Sequence, residues 1–529
     1  MKNKAIMPIV YSVILVVGVL FGIYIAQSNG VVTKKSGDNT LFINDIFSLI
    51  DEEYVDTVNM NDLQMKAVTH VLESMDPHSE YIKPEIVDEV NENLQGSFHG
   101  IGVTFRIEKD TIAIISTIKG GPSEKVGVMA GDRIVYVGDS LVAGNKITNK
   151  TAMSLLKGER RTKVNVKIKR RGVDDLLDFT ITRDVIPTYS VDVAYMIDDE
   201  IGFIKMTKFS ATTHKEFVKA VKKLKSSGMT KLILDLRGNT GGYLGEAVGV
   251  VEEMLADNNL IVYTQGEHRD RSYIFSRHRG LWENNDVAVL IDEGSASASE
   301  IVAGALQDND RGVIIGRRSF GKGLVQEQFD LGENGAVRLT VARYYTPTGR
   351  CIQKPFTGDK TEYLLEEYAR YETGEMFNVD SIHFADSLKY VTPGGKTVYG
   401  GGGIMPDIYV ALENDSTRYF FNKMANAGIL FQYAFDYADT HRNDILKYGD
   451  AKTFNEKFVF TDAMFNELMQ RTEEKKIKGT AADKAKAREL SEPLFKAYVA
   501  RDVFGDESFY LIYEPIDDIL QKAISVLKN

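Results

Sequence analysis

Hydrophobic positions change their spacing several times along the chain, and each change marks an element. The run from Ala5 to Ala26 carries no charge and follows Lys2 and Lys4. About 20 apolar residues in a row suffice to cross a bilayer as a helix, and basic residues ahead of them favour a cytoplasmic N-terminus with the remainder exported. A secretory signal would have a shorter apolar stretch and a small-residue cleavage site, for which Tyr24-Ile25-Ala26-Gln27-Ser28 is poorly suited. Residues 1–28 therefore read as an uncleaved single-pass anchor, with a cleaved signal as the alternative. From Leu41 to about Val90 the spacing is helical, with Phe42, Ile43, Ile46, Phe47 and Ile50, then Leu63, Ala67, Val68 and Val71, on common faces. Asp76-Pro77 interrupts it. Residues 38–95 are read as a helical N-terminal region.

Over residues 96–184 the period shortens to two. Val103, Phe105 and Ile107 alternate with polar neighbours, and Ile112 to Ile115 forms a second short strand. Gly120-Gly121-Pro122-Ser123 leads into a short helix ending near Gly127, and Ala130 to Val137 gives a turn and a strand. Val164 to Ile168 and Asp178 to Ile181 complete a compact, mainly β module. After Ile186-Pro187 strands and helices alternate: Ile201 to Met206, the amphipathic helix His214 to Lys225, then the apolar strand Lys231 to Leu236. That strand ends in the glycine loop Arg237-Gly238-Asn239-Thr240-Gly241-Gly242. A helix through Val248, Val251 and Leu255 and the strand Val287 to Ile291 follow. Such alternation predicts a largely parallel sheet with a site at the strands' C-terminal ends. This α/β core spans residues 185–412, with a polar, aromatic insertion at about 357–388. The sheet pattern returns at Gly403 to Val410, and residues 413–529 read as helical and charged.

Composition narrows the function. A chain of 529 residues is expected to form two to four domains. Hydrophobic and charged fractions of 43% and 26% are ordinary for folded protein. A net charge of −11 argues against nucleic acid as a partner, since phosphate binding needs concentrated basic surface. The single cysteine, Cys351, excludes an intrachain disulfide framework and a cysteine-rich zinc site. No metal-ligand cluster is visible in the sequence, and no cofactor is expected.

Two segments carry candidate chemistry: Gly294-Ser295-Ala296-Ser297-Ala298-Ser299-Glu300, and Ser319-Phe320-Gly321-Lys322-Gly323-Leu324-Val325-Gln326. A serine between a strand and a helix N-terminus is accessible, and neighbouring N–H groups can stabilise an oxyanion. Plain helix capping is the competing account of a serine run. None of the eight histidines stands where a base is wanted, and no Gly-x-Ser-x-Gly elbow surrounds Ser297, which disfavours a Ser-His-Asp triad. Lysine can act instead when burial keeps it neutral, and Lys322 between two glycines can be closely packed. Gly316 to Gly323 also approaches a phosphate-binding loop. Gly323 occupies the hydroxyl position, however, and the β-like residues that follow do not open a helix.

At this level the chain resembles the carboxyl-terminal processing, or tail-specific, proteases, which are Ser–Lys peptidases carrying an inserted PDZ domain. The likeness rests on the order of four motifs: Gly100-Ile101-Gly102-Val103, Asp-Leu-Arg-Gly-Asn-x-Gly-Gly, Ser-Ala-Ser-Ala-Ser-Glu and Phe-Gly-Lys-Gly-x-x-Gln. It covers about Phe42 to Val410. The resemblance implies a crotonase/ClpP-like core with Ser297 as nucleophile, Lys322 as general base and Gln326 as the residue orienting the lysine. It also implies an oxyanion hole from the amides of Ala298 and of Gly241 or Gly242. Gly100, Ile101, Gly102 and Val103 would bind a peptide C-terminal carboxylate. Expected partners are polypeptides with free apolar C-termini, the membrane, and a second copy or an adaptor. The expected location is the bacterial inner membrane, with the catalytic part facing the periplasm or exterior. The rival readings are a catalytically silent, membrane-anchored PDZ adaptor and an acyl-CoA-binding enzyme of the same core fold.

Overall fold

The computed structural model describes residues 39–529, so the anchor expected over residues 1–28 lies outside the described residues. Among those described, no helix is long and apolar enough to cross a membrane. The chain divides into two compact units between Leu72 and Glu73. The first contains the helix Asn39–Glu53, along which Phe42, Ile43, Ile46 and Leu49 are exposed, and most of the helix Met60–Met75.

The second unit is built on a six-stranded sheet. Its order is Val191–Met196, Ile201–Met206, Lys231–Asp235, Asp286–Ile291, Val313–Gly316 and Ile408–Tyr409. The first pair is antiparallel and every later pair parallel. Strands such as Asp286–Ile291, buried from its second residue onward, are apolar throughout because both sheet faces are covered. The helices Thr213–Ser226, Leu244–Glu252 and Ala298–Asp308 bury their apolar sides on one face. On the other face lies the helix Asp518–Lys528, through Ile519, Leu520, Ala523, Ile524 and Leu527.

A second sheet flanks this core, with the long strand Ala336–Tyr345 pairing Leu324–Asp330 on one side and Leu260–Gly266 and Glu80–Ile82 on the other. The short strand Glu80–Ile82 lies inside the stretch read as helical. Three residues are too few to express a period.

The β module hangs on a two-stranded stem. Ser97–Gly100, where the chain enters, pairs antiparallel with Asp184–Pro187, where it leaves. Beyond the stem, Val103–Glu108, Thr111–Thr117, Arg133–Val137, Lys163–Lys169 and Leu177–Thr182 form an antiparallel sheet, with Val103–Glu108 at its edge. Lys163–Lys169 alternates strictly between exposed and buried positions, the signature of a strand with one wet face. A helix that the hydrophobic spacing does not predict, Asn149–Leu156, closes the module's core with Ala152 and Leu156. At eight residues it offers too few apolar positions to show a helical stripe.

Residues 418–513 form a helical bundle with its own core around Tyr433, Phe454, Phe460 and Phe495. It also touches the β module. The Arg106 guanidinium sits 3.0 Å above the Phe435 ring, and Arg133 pairs with Asp439 at 3.1 Å.

The stretch at 357–388 carries the helix Lys360–Glu372 and packs beneath the lysine-bearing loop. Arg370, only 3% exposed, donates to the carbonyls of Arg318 (2.9 Å) and Ser319 (3.1 Å).

Candidate active site

Ser297 stands one residue before the helix Ala298–Asp308, at the C-terminal end of the strand Asp286–Ile291. Its backbone has φ +54°, ψ −111°, a conformation that costs a side-chain-bearing residue about 1–3 kcal/mol and persists only when its surroundings enforce it. The enforcement is visible. Ala296 N–H donates to the Asn239 carbonyl at 3.0 Å, and Ser299 Oγ donates to the same oxygen at 2.7 Å. Ser297 N–H donates to Glu300 Oε2 at 2.8 Å.

Glu300 is fully buried. Besides Ser297 it accepts from Lys322 N–H at 2.9 Å, Gly321 N–H at 2.7 Å and Ser319 Oγ at 2.5 Å. Burial pushes its pKa up, and the four donors counter that by stabilising the carboxylate. Tyr344, 1% exposed, adds a second bridge: its hydroxyl lies 2.8 Å from the Lys322 carbonyl and 3.1 Å from the Ser297 carbonyl. One proton is shared between two acceptors. The serine turn and the lysine loop, distant in sequence, are thus fastened together at backbone level.

The Lys322 ammonium position is set from the neighbouring strand. Nζ donates to Gln326 Oε1 at 2.8 Å, and Gln326 Nε2 donates to the His78 carbonyl at 2.6 Å. Asp76 shapes the turn that presents this carbonyl, accepting from the N–H groups of His78 and Ser79 at 2.8 Å each. Burial, then the charge of Arg338, lowers the Lys322 pKa from its ordinary value. The His78 imidazole is depressed to about 4, first by burial and then by Lys322. It is neutral near pH 7. No hydrogen bond joins Ser297 to Lys322 here, and such contacts commonly tighten only with substrate bound.

Of the two glycines expected to serve an oxyanion, only one has a free amide. Gly241 N–H is committed to Asn239 Oδ1 at 2.9 Å, which leaves Gly242 as the one of the pair with an unpaired amide. Its contribution is space: at φ +101°, an added Cβ would lie 2.8 Å from Ser297 Cβ and 2.9 Å from Ala298 N. The amides of Gly242 and Ala298 have no acceptor among the described residues. Ser297, Lys322, Gln326 and Gly242 line one cavity of about 460 Å³, with Tyr243, Leu244, Ile301, Leu324 and Val325 as an apolar wall and Arg338 at its side.

Gly100, Ile101, Gly102 and Val103 are not in this cavity. They lie where the stem meets the edge strand of the β module, Gly102 at φ +73°. The Ile101 carbonyl is held by Ser123 Oγ at 2.6 Å, and the amides of Ile101 and Gly102 have no acceptor among the described residues.

Glu300, Tyr344, Asn239 and the Asp76–His78 turn were not among the expected site residues. A glutamate three residues after a serine at a helix start has capping-box spacing, which was the available signal for Glu300.

Peptidase family S41 matches residues 200–360, the stretch containing Ser297 and Lys322. A carboxy-terminal-processing protease of Bartonella bacilliformis is 39% identical over 58% of this chain and 71% of its own length. The carboxy-terminal processing protease CtpA of Bacillus subtilis is 30% identical over 70% of this chain and 79% of its own. Among solved structures, the chain is similar to a photosystem II D1 C-terminal processing protease, 24% identical, over 71% of this chain and 94% of that one, with a TM-score of 0.36. A family of unknown function, DUF8443, matches residues 420–505. The chain is a serine-type peptidase. It belongs to the carboxy-terminal processing protease family, whose core here is the mixed α/β unit described above.

Proposed function

We propose that this peptidase cleaves exported polypeptides through an acyl-enzyme, with Ser297 as nucleophile and Lys322 as general base. The observation that carries the reading is the shared anchorage of both residues on Glu300, at the edge of one cavity that Gly242 also lines. Neutral Lys322 takes the Ser297 Oγ proton as Oγ attacks the scissile carbonyl. The amides of Ala298 and Gly242 receive the oxyanion. The protonated lysine then passes its proton to the leaving amine, and water, deprotonated by the same amine, releases the acid. Gln326 keeps Nζ aimed while leaving it uncharged, since an amide oxygen adds no negative charge.

The β module at 96–184 acts as a PDZ domain. Its edge strand Val103–Glu108 accepts a peptide as an additional strand, and the unpaired amides of Ile101 and Gly102 receive the terminal carboxylate. The apolar run of residues 1–28 anchors the chain in the inner membrane with the peptidase outside the cytoplasm.

The test is cleavage of an unfolded protein ending in apolar residues, beside the same substrate with an amidated end. Cleavage lost in both Ser297→Ala and Lys322→Ala, and weakened by amidation, is the expected result. Undiminished turnover in either variant would refute the mechanism. Equal turnover of both substrates would refute the carboxylate reading.

A further inference from the structure

The loop bearing Gly242 is held at its other end by the helix on the far face of the sheet. Arg237, at the head of this loop, forms a bidentate fork with Asp517: Nη1 to Oδ1 and Nη2 to Oδ2, both 2.8 Å. Its remaining donors go to Asp235, Nε at 3.0 Å and Nη2 at 2.7 Å. Asp235 is 1% exposed and also receives Lys205 Nζ at 3.1 Å, while that ammonium donates to the Arg237 carbonyl at 2.5 Å. Asp517 is itself fixed. It caps the helix Asp518–Lys528 by accepting from Leu520 N–H at 3.1 Å, and that helix is seated by Ile519, Leu520, Ala523 and Ile524.

Beyond Arg237 the loop is fastened at Gly238, Asn239 and Gly241, the last adjoining Gly242. Gly238 N–H donates to Asp292 at 2.8 Å, and Asn239 N–H to the Leu236 carbonyl at 3.1 Å. Asn239 then receives Ala296 N–H and Ser299 Oγ on its carbonyl and Gly241 N–H on its side chain. A guanidinium fork constrains direction as well as distance, so it can fix where a loop starts.

We propose that Asp517 is a positioning residue for the peptidase reaction, setting the Gly242 amide through Arg237. The proposal rests on the reading of Gly242 as an oxyanion donor. It gives the segment following the helical bundle a part in catalysis as well as in covering the sheet. Lys205 holds only the backbone carbonyl of Arg237, and Asp235 lies on the arginine's own strand end. Asp517 is the partner that reaches the guanidinium from a separate element.

The experiment uses the full chain under conditions where the parent cleaves an unfolded protein and Ser297→Ala does not, which secures the underlying reading separately. Asp517→Asn is expected to lower kcat about tenfold with KM unchanged, and to slow labelling of Ser297 by a fluorophosphonate by a similar factor. Asp517→Glu, able to rebuild the fork, should restore most of the rate. Ile524→Ala weakens the same helix's packing without touching the fork, and should lower Tm while keeping kcat at temperatures well below it. Should Asp517→Asn not fold, Arg237→Lys keeps the charge, loses the fork and should show the same kcat loss. Parental kcat in the Asp517 or Arg237 variant overturns the proposal. So does a loss borne by KM, or an Ile524→Ala defect as large as that of Asp517→Asn.

Discussion

One oxygen of Glu300, Oε2, accepts the backbone N–H of Ser297 at 2.8 Å and that of Lys322 at 2.9 Å. The two residues proposed to exchange a proton are therefore positioned by a common carboxylate. Glu300→Gln should disturb this, because whichever way its amide turns, the NH2 group, itself a donor, faces two of the four donors. Leaving buried donors unmatched should cost at least about 2 kcal/mol in denaturant unfolding, and kcat should fall about a hundredfold through misplacement. Parental activity in a folded Glu300→Gln protein would contradict this account.

Arg338 lies beside the cavity and disfavours the charged form of Lys322. It is bonded to Glu80 at 2.9 Å, and Glu80 acts on Lys322 in the opposite direction. Arg338→Gln removes the opposing cation and uncovers the carboxylate, so the lysine pKa rises. Since the free amine is the working form in the proposed mechanism, the ascending limb of the kcat/KM profile should move to higher pH. A limb that stays in place or moves to lower pH would count against Lys322 as the base.

Gly241 is required for space. In Gly241→Ala the methyl would meet Ser297 Cβ at 2.8 Å, on a backbone with φ +101°. The expected result is near-complete loss of fluorophosphonate labelling, with stability lowered by about 1–3 kcal/mol. Labelling at the parental rate would show that the serine turn can yield to the methyl.

Asp502, in the helical bundle, is pushed up to about 6 by burial, and its Oδ2 has no hydrogen-bond partner. An acid whose folded pKa exceeds its unfolded value keeps a proton that the unfolded chain releases. Stability is thus lost as pH rises from about 4 to about 6. Asp502→Asn should match the parent near pH 4 and exceed it near pH 8, by up to about 3 kcal/mol for a shift of about two units. A variant less stable than the parent at pH 8 would mean that the charged carboxylate is supported by Arg106, Arg442 and Arg501 more than burial opposes it.

Sequence spacing revealed the parallel core because strands buried on both faces are written as unbroken apolar runs, as in Val287 to Ile291. The pairing of Ser297 with Lys322 came from motif resemblance, since no periodicity relates two loops on different strands. What stayed hidden was long-range and mediated by backbone. Gln326 reaches the His78 carbonyl, an atom every residue possesses, so identity at position 78 carries no hint of it. The commitment of Gly241's amide depends on where the Asn239 side chain folds back. The fork between Arg237 and Asp517 joins two ordinary charged residues whose meeting only the tertiary fold decides. The strand Glu80–Ile82 and the helix Asn149–Leu156 were too short for their spacing to mark them.

The stem of the β module has a further consequence. Ser97 and Pro187 are register partners across one ribbon, so the polypeptide leaves the core and returns to it at a single point. An insertion with adjacent ends perturbs its host little. A lineage could therefore exchange this module for another; if it reads tails as proposed, that would alter which tails are selected while the hydrolytic machinery stays as it is.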